Sequence, residues 1–171
     1  MLHDWLEDNP REVVILIVQD ATDPADTGKA FRDAGFDDLV HTQRLDQPFP
    51  TLGEMIDSGR RVFVMVEEDG EGVDWLHPAF EFSQETPFSF ASPDEFSCAP
   101  NRGMPDSPLF VVNHFITLAR PSNQTINDAD VLLDRVEACA AERGLTVNLI
   151  AVDYAAQGEV MAVVDRLNGV D

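Results

Sequence analysis

Four short apolar runs in this sequence end in residues that can move a proton or hold a ligand: Gln19-Asp20, Glu67-Glu68-Asp69, Asn113-His114 and Asp153-Tyr154. Carboxylates and amides accept hydrogen bonds, and a carboxylate beside an imidazole fixes its tautomer and stabilises its charged form. Of the four histidines, His114 alone stands at such a point. Its side chain would titrate near neutrality, as general acid/base chemistry needs, although a histidine with no partner in view is also a common structural residue. His3, His41 and His77 have no companion at metal-ligand spacing. Glu67-Glu68-Asp69 offers hard oxygens to a divalent cation, but no spaced ligand loop follows. No cofactor is called for, and a divalent cation stays open. Asp20 and Asp153 can each also cap a following helix.

The runs that deliver these residues read as strands. Val13-Val14-Ile15-Leu16-Ile17-Val18 is continuous and β-branched, which suits a strand buried on both faces of a parallel sheet. Arg61 to Val66, Leu109 to Val112 and Val147 to Val152 repeat the pattern. Helical signals separate them. Leu2, Trp5 and Leu6 share one face of an opening helix stopped at Asn9-Pro10, and Ala25 to Ala34 ends at Gly35. Thr51 and Glu54 are spaced as a capping box for a helix ending at Gly59. Asn127 is placed to cap a helix burying Val131, Leu132, Val136 and Cys139 up to Gly144, and a last helix from about Glu159 carries Val160, Val163, Val164 and Leu167 inward. Strand then helix, repeated, is an α/β architecture in which ligands sit outside the carboxyl ends of the strands. That rule gathers eight of these strand-end residues, all but Asp69, into one candidate site. From about 69 to 108 the rhythm breaks: five phenylalanines, Phe80, Phe82, Phe88, Phe90 and Phe96, occupy either a folded excursion or a crossover without a regular helix.

The 171 residues are 44% hydrophobic, enough for a substantial core, and carry a net charge of −21. Such a field repels phosphate backbones and anionic lipid surfaces, so nucleic acid is not expected as a partner. No stretch approaches the roughly 20 apolar residues of a membrane span, and the first residues lack the basic and apolar regions of a signal peptide. Cys98 and Cys139 have no zinc spacing; they form either a single bridge closing a long loop or two buried thiols. Phosphate-loop, nucleophile-elbow and His-Glu-x-x-His patterns are missing from the sequence.

Several stretches taken together resemble a known family. They are Trp5-Leu6 with Asn9-Pro10-x-Glu12-Val13-Val14, then Pro50 to Ile56 leading to Gly59-Arg60-Arg61-Val62, Gln84-Glu85-Thr86-Pro87, Cys98 to Gly103, Leu109 to Phe115, Ile150 to Tyr154, and Val164-Asp165-x-Leu167-Asn168-Gly169. In this order they are similar to the phospholipase C-like phosphodiesterases, in the branch with a phosphatidylinositol-specific phospholipase C X-type catalytic domain. The resemblance implies a TIM-type (βα) barrel of which residues 1–171 form one partial domain, the C-terminal part with parallel strands. The N-terminal strands, carrying two catalytic histidines, a phosphate-binding arginine and an acidic group, would precede it.

The resemblance makes Asp153 the catalytic candidate, matching the aspartate that orients the first catalytic histidine. Asn113 falls where phosphatidylinositol-cleaving members carry a substrate-contacting aspartate. Gln19 and Glu67 stand where those members place basic residues, which removes favourable phosphate contacts. With His114 and Tyr154 beside them, these three are the substrate-binding candidates. Arg102 and Arg120 are the only basic residues near the candidate loops. The expectation is a secreted phosphodiesterase acting on a small phosphodiester or phospholipid head group, with this chain inactive by itself. The alternatives are a non-catalytic binding module on the same scaffold, and a self-contained small α/β domain that melts cooperatively rather than associating through uncovered edges.

Overall fold

The computed structural model describes residues 1–19, 22–67, 70–117 and 124–170. They divide into two compact units, Met1–Phe82 and Ser83–Asp171.

The first unit opens with α1 (Leu2–Asp8) and β1 (Val14–Val18). Next comes α2 (Pro24–Asp33), where Asp23 accepts from the Ala25 amide at 2.8 Å and Pro24 takes the first-turn position that needs no N–H. α3 (Leu52–Ser58) has the expected capping box: the Thr51 hydroxyl accepts from the Glu54 amide, and the Glu54 carboxylate accepts from the Thr51 amide. It ends at Gly59, whose φ of 77° suits a residue without a side chain. β2 (Val62–Val66), β3 (Leu76–Pro78) and the short α4 (Ala79–Phe82) complete the unit. The sheet runs β1-β2-β3, all parallel, with Val14 opposite Val62 and Val18 opposite Val66.

Burial on both faces holds for β2, whose five residues are all buried, but not for β1. Val14, Leu16 and Val18 pack with Leu6, Phe36 and Val64, whereas Ile15 is 37% and Ile17 51% exposed. The reason is position: among the described residues β1 has a strand neighbour only on the β2 side. On the other face of β2, Phe63 meets the rings of Phe49, His77 and Phe82 with centroids 4.5 to 5.8 Å away.

In the second unit β4 (Ser83–Glu85), β5 (Leu109–His114) and β6 (Leu149–Val152) form a parallel sheet in that order, with α5 (Ala129–Arg143) between β5 and β6 and α6 (Val160–Leu167) after β6. Phe110 and Val112 pack on a Cys98–Cys139 disulfide, and Leu132, Val136 and Val163 cover Ile150 and Val152. The described part of the 69–108 stretch carries strands of its own. It supplies β3 and β4, three residues each, too short to show a periodicity in sequence. Val131 and Leu167 are 45% and 43% exposed rather than inward: the buried stripe of α5 runs through Ala129, Leu132, Val136 and Cys139, and the buried residue of α6 is Val163. The residue at the start of α5 is Asp128; Asn127 lies in the preceding helical turn and has other work. The result is a mixed α/β chain with parallel strands in two small sheets, neither of them a closed barrel by itself.

Candidate functional site

Parallel pairing brings the polar strand ends of each unit together. In the first, Gln19 follows β1 and is exposed, and Glu67 follows β2 and is half-buried. The Glu67 amide donates to the Val18 carbonyl at 3.2 Å, so the two residues are neighbours at one edge of the sheet. Asp20, Glu68, Asp69 and Arg120 lie outside the described residues.

In the second unit Asn113 pairs with Ala151 and His114 with Val152, leaving Asp153 one step beyond β6. Successive strand residues point to opposite faces, which separates the two β5 candidates. His114 shares the face of Phe110 and Val112 that packs on α5, is fully buried, and sits 4.9 Å from the Phe96 ring. Asn113 belongs to the other face, with Glu85 and Val111 one register step behind. Asp153 and Tyr154 are exposed, and Tyr154 holds a left-handed φ of 55°, uncommon for a residue with a side chain. Asn127, fully buried, fixes this turn: its Nδ2 donates to the Asp153 carbonyl at 2.9 Å, and its carbonyl accepts from the Glu159 amide. A Cβ on Gly158 would lie 2.6 Å from Asn127, so the turn and its anchor fit only with glycine there.

Glu85 gathers several donors in this unit. Its carboxylate is 7% exposed and accepts from Arg102 Nε at 2.5 Å, Asn101 Nδ2 at 3.0 Å and Asn113 Nδ2 at 3.1 Å. The loop carrying Asn101 and Arg102 runs beside β4, exchanging backbone bonds with Glu85, and Gly103 passes so close that a Cβ would meet the Ser83 carbonyl at 2.2 Å.

Both buried histidines are held neutral. The Nε2 of His77 accepts from the Gln43 amide at 2.9 Å, which leaves Nδ1 to donate to the Val64 carbonyl. The Nε2 of His114 donates to the Ile126 carbonyl at 2.7 Å. Burial pushes each below the ordinary imidazole value of 6.5, with the nearby Arg135 charge adding to the effect at His114. The unfolded chain then binds protons that the folded chain refuses. Stability from these groups is therefore complete above about pH 6.5 and declines as pH falls towards the folded values, by up to about 1.4 kcal/mol per pH unit per histidine. Urea midpoints measured from pH 7 to 5 are expected to fall. His77→Gln should flatten that slope, and an unchanged slope in this variant would exclude His77 as a source.

Among the described residues, metal-ligating side chains come together at half-buried His3 and exposed Asp4 and Glu7 on α1, with ligand atoms within 4.8 Å of one another. A cleft of about 520 Å³ in the first unit is lined by Asp46, Glu71, Asp74, His77 and Glu81 and touches none of the described strand-end candidates. No helix among the described residues is long and apolar enough to cross a membrane.

The family model described as PI-PLC X 1 matches residues 1–168. The chain belongs to the PI-PLC X family. Two fungal relatives from Arthroderma benhamiae are similar along almost its whole length. One, named PI-PLC X domain-containing protein 1, is 26% identical over 96% of the chain and 61% of its own length. The other, named an uncharacterized secreted protein, is 27% identical over 98% of the chain and 45% of its own length. The chain therefore spans about half to three fifths of the curated relatives it matches. No solved structure matches.

Sequence reasoning passed over Glu85, named Arg102 only as a basic residue near the candidate loops, and read Asn127 only as a helix cap. Gln84 to Pro87 and Cys98 to Gly103 carried the family resemblance, but nothing in either segment shows that Arg102 and Glu85 are ion-paired. Only the folding of one loop along β4 does so.

Proposed function

We propose that residues 1–171 form one partial (βα) barrel domain of a secreted phosphodiesterase of the phospholipase C-like superfamily, its later strands joining earlier ones on the longer protein. The observation that carries this is the family match over residues 1–168. The exposed Ile15 and Ile17 on an edge strand support it, because an apolar outer strand face is what a further strand and its layer would cover. The disulfide suits an oxidising compartment, and a relative's name includes the word secreted.

In this reading Asp153 orients an imidazole supplied by an early strand and stabilises it when protonated. Its exposure leaves the carboxylate free for that approach, and Asn127 sets the turn that presents it. Asn113 contacts the head group of a small phosphodiester or phospholipid, with Tyr154 beside Asp153, and Gln19 and Glu67 are the polar strand ends that the first unit offers to such a ligand. His114, on the helix-bearing face, acts from behind Asn113 by holding the end of β5 to the Ile126 turn. Stabilising a phosphoryl group in transit needs cations aimed at it, and Arg102 spends its charge on Glu85.

The 171-residue chain alone is accordingly expected to give no turnover of a chromogenic phosphodiester, while the longer protein hydrolyses it. Asp153→Asn in the longer protein should lower kcat by roughly 10²- to 10⁴-fold. Turnover by the chain alone would defeat the partial-barrel reading. A longer protein that binds head groups without hydrolysis would point to the non-catalytic module.

A further inference from the structure

A buried carboxylate that already has an arginine partner has no electrostatic need of an asparagine, so the bond from Asn113 to Glu85 matters for what it does to Asn113. The Nδ2 of Asn113 donates one proton to Glu85 Oε2 at 3.1 Å and the other to the Thr86 carbonyl at 2.7 Å. Both partners are acceptors only, which fixes which end of the amide is nitrogen. The backbone N–H of Asn113 is also engaged, donating to the Thr86 hydroxyl at 2.9 Å, and its carbonyl accepts from Arg135 at 3.2 Å. What Asn113 has left to offer a ligand is Oδ1, a lone-pair acceptor.

We infer that Glu85 is a positioning residue: by holding the amide protons of Asn113 inward with Thr86, it makes Asn113 an obligate acceptor that meets a hydroxyl of the ligand and not a phosphate oxygen. This rests on the reading above that Asn113 faces the head group. A hydroxyl fits better than an ammonium, because the Glu85 charge is answered by Arg102 at 2.5 Å and the amide itself is neutral, so a cation finds no net negative charge there. The device is held from outside by the loop of Asn101 and Arg102, with the Arg102 guanidinium 4.6 Å over the Phe88 ring.

The test follows the Asn113 side-chain amide by NMR in the ¹⁵N-labelled 171-residue chain during titration with myo-inositol, a neutral polyol, and separately with inorganic phosphate. The wild type is expected to show slowly exchanging amide protons, a saturable shift with myo-inositol and none with phosphate. Glu85→Ala should weaken the myo-inositol response at least tenfold and open a response to phosphate, as a freed N–H turns outward. Glu85→Gln, whose amide oxygen still accepts, should keep most of the myo-inositol response. A wild-type shift with phosphate, or Glu85→Ala titrating like the wild type, overturns the inference.

Should Glu85→Ala fail to fold, an exchange of partners gives the answer. Asn113→Asp sets two carboxylates about 3 Å apart and lowers the urea midpoint, and adding Glu85→Gln, which swaps amide and carboxylate, restores part of the loss, the bond to the Thr86 carbonyl staying broken. No restoration overturns the pairing. A wild type that ignores both probes overturns the ligand-facing part, whereas the phosphodiesterase reading stands or falls separately on hydrolysis by the longer protein.

Discussion

Replacing both cysteines of the Cys98–Cys139 bridge by alanine is expected to lower the stability of the second unit by about 4 kcal/mol, the loop-closure value for partners 41 residues apart. Against a total of about 5–15 kcal/mol for a typical domain, that is a large share. The effect should also be local in its first consequence. Arg135, Cys139 and Arg143 recur every fourth residue along one side of α5, and all three grip the same loop: Arg135 donates to the Ser97 carbonyl at 3.1 Å, Cys139 bonds Cys98, and Arg143 donates to the Cys98 carbonyl at 3.2 Å. Arg135 also covers the Phe96 ring at 4.4 Å, and burial lowers its pKa to about 10, still charged at neutral pH. Without the disulfide the two arginines keep the loop near its place, so the sheet survives while the loop opens more often. Urea unfolding of wild type and the double alanine variant measures the total. Amide exchange at Asn101, which donates to the Glu85 carbonyl at 3.0 Å, measures the opening and should speed up more than exchange at Asn148, bound to Phe110. Equal midpoints would mean that native strain cancels the gain from closing the loop. Because Cys139 is fully buried, a reductant added to the folded protein is expected to act slowly, which makes the variant the cleaner comparison.

The parts of this fold that were legible in the sequence are those with strong local signals. The runs ending at Val18, Val66, Val112 and Val152 became strands, the third extended to His114, and the Thr51–Glu54 spacing became a real capping box, because each depends on residues a few positions apart. β3 and β4 were hidden for the opposite reason: three residues give no period, and what makes them strands is pairing with Val64 to Val66 and with Leu109 to Val111. Asn127 looked like a cap because it precedes a helix, yet its side chain serves the turn after β6, some thirty residues later. At the site, sequence could name Asn113 and Asp153 as strand-end groups. It could not show that Asn113 and His114, adjacent in the chain, face opposite ways, or that Glu85 ties up the amide of Asn113. Those facts arise from register and from a loop laid along β4, both long-range.

A single substitution, Arg61→Ala, should destabilise the first unit by about 3 to 5 kcal/mol. Arg61 is 7% exposed, and its guanidinium donates to three backbone carbonyls, those of Leu6, Asn9 and Glu12, each at 2.9 Å. The Leu6 carbonyl lies in the last turn of α1, where helix carbonyls lack intrahelical partners and the macrodipole favours a cation, and the other two belong to the turn that leads into β1. The same residue's carbonyl accepts from the Val14 amide at 2.8 Å and begins the β1–β2 ladder, so one residue joins helix, turn and sheet. Truncation leaves three acceptors in a poorly hydrated place, and it loosens α1, which carries the fully buried Leu6 into the core beside Val62 and Val64. Arg61→Lys should recover less than half of the loss, because one compact ammonium cannot reach carbonyls spread over seven residues as a planar fork does. Arg60→Ala is the control: its exposed side chain reaches the Val40 and Asp37 carbonyls at 3.1 and 3.3 Å, and its loss should cost under about 1 kcal/mol. Equal urea midpoints for Arg60→Ala and Arg61→Ala would show that water replaces the guanidinium at all three carbonyls, and that the packing of Leu6 alone keeps α1 on the sheet.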